Sequence, residues 1–521
     1  MLLLVDVPLP MPIAANRRAT GRVGILVAWW GEWSPRNGTV TNEVAQEERA
    51  VGSCWQADMA TTIQTSQDWA LANFCGCQFG DERRTRRAVR IARRMADHPA
   101  GSSPQQMADW AELKGCYRFF HTKSVTFTEL TRPHCQQTRA AARGRVLLIN
   151  DTTTISFSHR RREVQGLPRS RRGMTAGFLL HNALMVVAAT GEIVGLAHQE
   201  LFQRVAAPKG ENRRQRSRRP RETDAWGRTI DAIGVPPEGV EYVHVCDREA
   251  DNLEVFCHLR EQRSQWVIRC SHLNRDVHPL HSNGLPRLRS VEQVLTEAPV
   301  LGQTTLALRG RQGQPSRTAQ LAIRVTEVLI PQPRRRTPYL RQLDFRGLTQ
   351  TLVELREVAV PRGGTPLRWV LWTSLPVRTL AEALDVARDY EQRWLIEEFH
   401  TAVKTGCQLE SRQYESAHCL HGLAGMVSVL AVRLLQLRQW ARSSPETPAR
   451  EIVPAEWLKM VELLRQRRVE TLRDFIRQLA ALGGFLLRKS DGEPGWITIW
   501  RGTQILTTSL ATKHALERNC G

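Results

Sequence analysis

The chain has 521 residues, and its 73 lysines and arginines outnumber its 52 acidic residues to give a formal net charge of +21. With 41% hydrophobic residues it can bury a sizeable core, which excludes a wholly disordered protein. Its length favours roughly three to four domains of about 150 residues each. A pI near 10.3 indicates a polyanionic partner, most often nucleic acid, although a basic solvated surface without a partner is the alternative.

The cysteine pattern and the start of the chain indicate an intracellular protein. The eleven cysteines include no CxxC pair, so the spacings of zinc ribbons and zinc fingers are absent. An odd number of cysteines in a long chain favours reduced thiols. We find no apolar run close to the ~20 residues that span a membrane, and the N-terminus lacks the basic start of a signal peptide. We therefore expect a cytoplasmic protein.

The N-terminal segment differs from the rest of the chain in its pattern of apolar and polar residues. Residues 1–58 show no sustained helical or strand period, and their tryptophan cluster between Trp29 and Trp33 has no evident core to bury it. We interpret them as a disordered extension or as sequence upstream of a functional start at Met59. Beyond that point the pattern is helical, and residues 81–95 predict an arginine-rich helix that begins with acidic residues, as the helix dipole favours.

Short apolar, β-branched runs predict strands from residue 145 onward. The run 146–149 is followed closely by Asp151, and the run 242–246 ends at Asp247. Between them, residues 178–197 predict a hairpin. Two aspartates therefore follow two apolar strands.

The remaining segments predict basic loops, an insertion and helices. Residues 160–172 and 209–221 are rich in arginine and predict basic loops. Residues 270–368 contain many short β-type runs separated by Gly, Pro and Arg, which indicates a β-rich insertion. Residues 380–404 predict one strong helix, and 411–521 is mostly helical by its leucine spacing.

Three carboxylates are candidates for a metal site because of where they lie. Asp151 and Asp247 follow strands, and Glu397 lies on the predicted helix. Strand ends and a helix face can bring such groups together at one edge of a mixed sheet. Three oxygen ligands without Cys or His partners suit Mg²⁺ or Mn²⁺ rather than zinc. For each aspartate taken singly, a simple turn residue is the more common interpretation.

The helix around Glu397 carries a polar face. Tyr390, Arg393, Glu397, His400 and Lys404 have spacings that place all five on one side of a continuous α-helix. A hydroxyl, fixed cations and a carboxylate make a poor core face and a good phosphate-binding face. The alternative is a solvated face with ion pairs between residues four apart.

These residues also carry a resemblance to a known family. The string Tyr390-x2-Arg393-x3-Glu397-x6-Lys404 resembles the YREK signature of bacterial DDE transposases of the insertion-sequence-four type. The chain is most similar to the Tn-five-like cut-and-paste enzymes, which excise through a DNA hairpin. Three further stretches match motifs of that family: 151–153 around the first aspartate, 247–251 (DREAD) around the second, and 195–200.

The resemblance extends over about residues 59–510 and implies an α/β fold. The implied architecture is an RNase H-like mixed-sheet catalytic core with a β-rich insertion, flanked by helical N- and C-terminal domains. The expected divisions are a transposon-end DNA-binding domain at 59–140, the first part of the catalytic core at 141–269, the insertion at 270–368, the second part of the core with the YREK helix at 369–410, and a helical dimerisation region at 411–521.

The resemblance implies a triad and a set of DNA-binding residues. Asp151, Asp247 and Glu397 would be catalytic and would bind two Mg²⁺ or Mn²⁺ ions per active site. Trp369 matches a position on which the family stacks a flipped base, with a core strand aromatic as the alternative. The implied DNA-binding residues are Tyr390, Arg393, Lys404, Trp369, Trp394, His400, Arg248, Arg269, Arg83, Arg84, Arg87 and Arg118.

The implied activity is cut-and-paste transposition of an insertion sequence. Nicking at the transposon end, hairpin formation, hairpin opening and strand transfer are four phosphoryl transfers at one site. The expected partners are the terminal inverted repeats, the target DNA and a second copy of the chain in a homodimeric synaptic complex, with no membrane and no small-molecule cofactor. Two alternatives remain: a catalytically silent or domesticated end-binding protein, and a general basic nucleic-acid-binding protein. The expected location is the bacterial cytoplasm, at the nucleoid.

Overall fold

The computed structural model describes residues 64–520 with short gaps. The gaps are residues 159–162, 168–175, 205–207, 209, 213–214, 216–218, 220, 281–286, 309–316, 335, 361–365, 444 and 489–490. The predicted extension 1–58 and most arginines of the basic loops 160–172 and 209–221 therefore lie outside the described residues.

From residue 64, where the described part of the chain begins, five helices precede the sheet. Asp81 caps the second of them, because its Oδ1 accepts the backbone N–H of Arg83 at 2.8 Å. Ala88, Ile91 and Met95 of that helix are buried, so one apolar stripe faces the core and the arginines lie around it. The predicted arginine-rich helix is confirmed. The helices are α1 Ser66–Phe74, α2 Glu82–Asp97, α3 Ser103–Gln106, α4 Trp110–His121 and α5 Phe127–Ala140.

An 11-stranded mixed sheet forms the centre of the described chain, in the order β3-β2-β1-β4-β5-β11-β10-β9-β6-β7 with β8 beside β9. The predicted hairpin is the antiparallel pair β2 and β3, whereas β1 and β4 are parallel. The strands are β1 Gly144–Ser156, β2 Gly177–Val187, β3 Ile193–Phe202, β4 Val240–Cys246, β5 Gln265–Arg269, β6 Asp276–Pro279, β7 Arg289–Ser290, β8 Val300–Leu308, β9 Arg317–Pro331, β10 Gly347–Glu357 and β11 Arg368–Thr373.

The inserted strands β6–β10 continue this sheet, because β10 pairs antiparallel with β11 and β11 with β5. Ion pairs join the inserted strands to the core. Glu354 on β10 is 1% exposed and lies 2.7 Å from Arg368 on β11 and 3.4 Å from Arg324 on β9. A buried carboxylate is tolerated there because two guanidinium groups compensate its charge.

The helices that pack around the sheet include one that departs from prediction. The expected continuous helix 380–404 is wrong, because it breaks at Gln392 and Arg393. The N–H of Arg393 bonds to the Tyr390 carbonyl at 3.0 Å, a three-residue spacing that tightens the turn and redirects the chain. The helices are α6 Asp224–Ile233, α7 Leu253–Glu261, α8 Val291–Glu297, α9 Pro338–Gln342, α10 Leu380–Glu391 and α11 Trp394–Thr401, the last followed by a π-helical turn at Ala402–Gly406.

Five C-terminal helices complete the fold: α12 Ala417–Ser443, α13 Ala449–Ile452, α14 Ala455–Arg465, α15 Leu472–Leu482 and α16 Trp496–Cys520. Within α12, residues 417–436 have a mean hydropathy of 1.5 and are long enough to cross a membrane, so the expectation that no such run exists was wrong. However, 89% of the most apolar window is buried inside the protein. Burial of that kind is typical of the core helix of a globular protein.

Buried arginines join the N-terminal helices to the rest of the chain. Arg412 is 3% exposed and donates to the carbonyls of Pro99 and Cys407 at 3.1 and 3.0 Å, to the Gln106 Oε1 at 3.0 Å, and to the Gly101 carbonyl. All of these acceptors are neutral. The guanidinium therefore satisfies several buried backbone carbonyls at once.

Candidate active site

The first aspartate lies within a strand rather than after one. The strand at 146–149 was expected to end before Asp151, but β1 continues to Ser156 because β2 pairs with it along its whole length. Asp151 lies on β1 directly opposite Asn182 on β2. Its Oδ1 accepts the backbone N–H of Thr152 at 2.7 Å.

The sheet register brings the second aspartate beside the first. Strands β1 and β4 are parallel, and their last paired residues are Asn150 and Cys246. Asp151 and Asp247 come next on the two strands. Asp247 caps the short 3-10 helix Arg248–Ala250, with its Oδ1 accepting the N–H of Glu249 at 2.9 Å.

The third carboxylate reaches the same place from a helix. Glu397 lies in the first turn of α11 and is half-exposed. Arg393 bridges it to the sheet, because its Nη1 donates to Asp151 Oδ2 at 3.1 Å and its Nη2 to Glu397 Oε1 at 3.1 Å. A cation therefore lies between two carboxylates that a divalent ion would otherwise share.

A ring nitrogen belongs to the same cluster. One ligand atom each of Asp151, Glu397 and His400 lies within 4.8 Å of the others. Among the described residues this is the group of acidic, His or Cys side chains close enough to hold a metal ion. Asp247 lies outside that distance, although its charge acts on Asp151. The two clustered carboxylates fit a hard divalent cation such as Mg²⁺ or Mn²⁺.

The electrostatics of the cleft favour a cation. Burial, and next the negative charge of Asp247, raise the pKa of Asp151 well above its usual value; Glu397 adds to this effect and Arg393 opposes it. Arg393 is itself largely buried, which disfavours its charge, yet Asp151 keeps its pKa above the ordinary arginine value. One guanidinium group therefore neutralises only part of the negative charge of the carboxylates.

The YREK residues do not share one helix face, because the helix breaks before Arg393. Tyr390 lies at the end of α10 and is buried, whereas Arg393 and Glu397 face the cleft. Lys404 lies in the π-helical turn and is half-buried. It is close enough to His400 to lower the pKa of that ring. Tertiary contacts bring Arg393, Glu397 and His400 together with Asp151.

An aromatic cluster lies beside the cleft. Trp369 on β11 meets the Tyr390 ring edge-on, with centroids 5.3 Å apart. The Arg269 guanidinium lies 5.9 Å from the Trp369 ring centroid and 5.8 Å from that of Tyr390. All three side chains are buried, at 5–7% exposure. In this conformation Trp369 is a core strand aromatic, and Arg269 is held inside by a 2.7 Å bond to the Arg368 carbonyl.

The other predicted DNA-binding residues are distributed over the surface. Arg248 is exposed next to Asp247, and Trp394 is half-buried at the start of α11. On the N-terminal helices Arg83, Arg87 and Arg118 are exposed. Arg84 differs from them. Its Nη1 donates to the Phe79 carbonyl at 2.8 Å and to the Ser124 hydroxyl at 3.3 Å, within the N-terminal part itself.

Sequence reasoning missed two residues behind the triad. Asn182 on β2 and Gln199 on β3 are buried and lie in register with Asp151, so the three side chains form a row across three strands. The signal was a polar pair, His181 and Asn182, inside an otherwise apolar strand. Buried polar side chains need partners: Asn182 finds them in His400 and Gln199, whereas His181, on the opposite face of the strand, bonds to the Thr152 hydroxyl at 2.7 Å.

Three protein-family models match the chain in order. Transposase DNA-binding matches residues 66–125, the Transposase DDE domain 217–432, and the Transposase Tn5 dimerisation domain 429–515. These matches support a Tn5-like DDE transposase. The mixed sheet between helical N- and C-terminal parts is consistent with the RNase H-like α/β core of a DDE transposase, and the predicted fold class is confirmed. The DDE match includes Asp247 and Glu397 but begins after Asp151.

The matches also bear on the partners of the protein. The exposed arginines of α2 and α4 lie within the transposase DNA-binding match, and DNA is therefore a partner. The dimerisation match extends from α12 into α16 and supports a homodimer. A catalytically silent end-binding protein is not favoured, since the DDE domain is that of a DNA-cleaving and DNA-transferring enzyme.

Proposed function

We propose that this transposase is of the insertion-sequence-four type with the YREK signature and moves its element by cut-and-paste transposition through a DNA hairpin. One observation carries the proposal. Asp151 and Asp247 each come directly after the last paired residues of the parallel strands β1 and β4, and ligand atoms of Glu397 and Asp151 lie within 4.8 Å of each other. Carboxylates collected from two strands and a helix form an oxygen-ligand site for phosphoryl transfer.

The three carboxylates of the triad would form the reaction centre. Asp151, Asp247 and Glu397 would hold two Mg²⁺ or Mn²⁺ ions, which when bound activate the attacking oxygen and stabilise the leaving oxygen. Asp151 and Asp247 are fixed by the backbone N–H bonds of Thr152 and Glu249, so their positions are set by strands and a capped turn.

The YREK cations orient the DNA. Arg393 and Lys404 lie on either side of Glu397 and would bind phosphates of the transposon end and of the hairpin. A phosphate that binds Arg393 competes with its bonds to Asp151 and Glu397. DNA binding would therefore withdraw this cation from the carboxylates and leave them to the divalent ions.

Aromatic residues would accommodate the flipped base. Trp369 is packed on Tyr390 beneath the Arg269 guanidinium, close to the YREK turn. Stacking a base on Trp369 requires that this cluster open, and the stacking energy of about 1–3 kcal/mol would offset part of the cost. Arg248 and Trp394 flank the same cleft and would contact the flanking strand.

Recognition of the terminal repeats falls to the N-terminal domain. Arg83, Arg87 and Arg118 present exposed guanidinium groups on α2 and α4. The C-terminal helices of residues 411–521 would hold two copies together, so that each transposon end meets an active site in a synaptic complex. We place this activity at the nucleoid in the bacterial cytoplasm.

Cleavage of a labelled transposon end tests the proposal. The substrate is a duplex that ends in the short inverted repeats flanking the reading frame, incubated with the full chain and Mg²⁺ and resolved on a denaturing gel. We expect a nick followed by a hairpin of twice the strand length. Asp151→Asn, Asp247→Asn and Glu397→Gln should each lower cleavage on the order of 10³-fold or more and leave end binding largely unchanged.

Glu391→Gln is the matched control. Its carboxyl lies at the end of α10, six residues before Glu397 and outside the Asp151 cluster, so cleavage should persist. Cleavage retained by a triad variant would remove that residue from the site. Nicked ends without hairpins in the wild-type protein would exclude the hairpin route while leaving the transposase assignment in place.

A further inference from the structure

The residue behind Asp151 uses all of its hydrogen-bonding groups. Asn182 is fully buried on β2. Its Nδ2 lies 3.2 Å from the Leu180 carbonyl oxygen and 3.0 Å from His400 Nε2, and its Oδ1 accepts from Gln199 Nε2 at 2.5 Å. An asparagine amide has two N–H donors and one carbonyl acceptor, so these three contacts account for its polar atoms.

The Leu180 carbonyl decides which way the Asn182 amide points. A carbonyl oxygen only accepts, and the amide atom beside it must therefore be the nitrogen. With one N–H given to Leu180, the second points to His400 Nε2. The opposite orientation would place two oxygens against each other at 3.2 Å. Consequently His400 Nε2 must accept a hydrogen bond.

His400 is a neutral ring in this position. It is 6% exposed, and a ring whose Nε2 accepts a hydrogen bond from Asn182 cannot be the doubly protonated imidazolium. A neutral imidazole carries one proton, and Nε2 has its lone pair turned to Asn182. The proton is therefore on Nδ1.

A histidine nitrogen needs a free lone pair to coordinate a metal ion, and this tautomer of His400 offers none. Nε2 is occupied by Asn182 and Nδ1 is protonated, although the ring lies within 4.8 Å of carboxylate oxygens of Asp151 and Glu397. We propose that His400 is a positioning residue: Gln199 and Asn182 fix its tautomer, so that Nδ1–H donates to a carboxylate or phosphate oxygen in the cleft and the ring does not bind the metal. The inference rests on the proposed function, because the metal ion and the DNA are both part of it.

A second Asn–His pair in the same protein provides the contrast. Asn73 Nδ2 donates to the Trp69 carbonyl at 2.8 Å, and its Oδ1 lies 2.7 Å from His134 Nδ1. Here the asparagine accepts from the histidine, while His134 Nε2 accepts the Leu196 N–H at 3.1 Å. An aspartate at position 73 would keep the tautomer of His134, whereas an aspartate at 182 would reverse that of His400; each change loses the bond from Nδ2 to a backbone carbonyl.

Pulsed electron paramagnetic resonance on the full chain with bound Mn²⁺ tests the inference. A histidine that coordinates Mn²⁺ through nitrogen gives a ¹⁴N coupling that carboxylates and water do not. We expect no such coupling in the wild-type protein, with or without transposon-end DNA. A ¹⁴N coupling that disappears in His400→Ala would overturn the proposal and make His400 a ligand.

The Asn182→Asp variant should convert His400 into a ligand. The new carboxylate accepts a hydrogen bond from Nε2–H, so the single ring proton moves from Nδ1 to Nε2, the Nδ1 lone pair becomes free, and a ¹⁴N coupling should appear. Asn73→Asp repeats the substitution at the other pair, outside the metal cluster, and should stay free of coupling. A folded Asn182→Asp protein that binds Mn²⁺ without ¹⁴N coupling would contradict the proposed tautomer.

These outcomes separate the inference from the proposed function. If Mn²⁺ binding is unaffected by Asp151→Asn and Glu397→Gln, the metal site itself is wrongly placed. If those variants lose Mn²⁺ and the wild type shows a histidine nitrogen bound to it, the metal site stands and only the role of His400 is wrong.

Discussion

Arg393 in the catalytic cleft and Arg412 beside the N-terminal helices are both largely buried, yet the groups around them differ in kind. Arg393 lies between two carboxylates that also suit a divalent ion. Arg412 donates to neutral acceptors, mostly backbone carbonyls. Under the proposed function, DNA and divalent ions would replace the first set of bonds during the reaction. The second set contains no carboxylate that a metal ion could bind, so we expect it to contribute to stability alone.

Of the two arginines, Arg393 should have the larger effect on cleavage, because Arg393→Ala removes the cation between the carboxylates. End cleavage should fall about 10²-fold, because a charge that orients the reacting phosphate is lost. In the absence of DNA the same variant should bind Mn²⁺ more tightly, since Asp151 and Glu397 no longer share a guanidinium. Calorimetric titration of the DNA-free protein measures this gain. Unchanged Mn²⁺ affinity would show that Arg393 does not compete for the site.

Arg412→Leu should affect stability rather than the reaction. Leaving several buried carbonyls unpaired costs about 2–3 kcal/mol, which denaturant unfolding of the full chain measures. Arg412→Lys, which can satisfy part of the set, should recover some of the loss. Cleavage per folded molecule should stay within a factor of two or so of wild type. A specific loss of cleavage with normal stability would assign Arg412 to the active site instead.

The metal-free cleft should also respond to pH through Asp151. Burial, and then Asp247, raise its pKa well above the usual value, so the folded protein retains a proton that the unfolded chain has released. This contribution to stability is complete below the pKa of the unfolded chain and is lost as pH rises through the pKa of the folded form. Asp151→Asn should therefore raise the melting temperature at neutral pH by a few degrees and flatten its pH dependence. Asp276→Asn, at an exposed position, should change neither.

The smallest effect concerns the arginines of α2. Arg83→Ala should weaken binding to the terminal repeats and lower the dependence of log affinity on log salt by about one ion. Arg84→Ala should instead reduce stability, because Arg84 bonds to Phe79 and Ser124 of its own domain. Fluorescence anisotropy on cognate and random duplexes distinguishes base reading from phosphate contact for Arg83. An equal loss on both duplexes would assign it to the phosphates.

Local pattern predicted several elements correctly. The helix α2, the hairpin β2–β3 and the strand β4 before Asp247 follow from hydrophobic periods and turn residues that act over a few positions. The candidate triad could be named from the sequence because a motif is recognised by its order and spacing. These do not depend on how the intervening chain folds. The residue types likewise predicted the kind of chemistry.

The tertiary structure decided where those residues meet. Pairing with β2 carries β1 past Asp151, although the local run of apolar residues stops at Ile149. Packing breaks the helix before Arg393, so Tyr390 turns into the core beside Trp369 while Arg393 enters the cleft.

The sequence by itself determined the basic charge, the strands and helices of strong period, and the identity of the carboxylates. Only the folded chain determined that Asn182 stands opposite Asp151 and donates to His400, and that one arginine faces carboxylates while another faces carbonyls. The physical reason is the distance along the chain over which each effect acts. Periodicity and capping depend on neighbours within a turn or two, whereas register, burial and the direction of a hydrogen bond depend on groups that lie hundreds of residues apart in the chain.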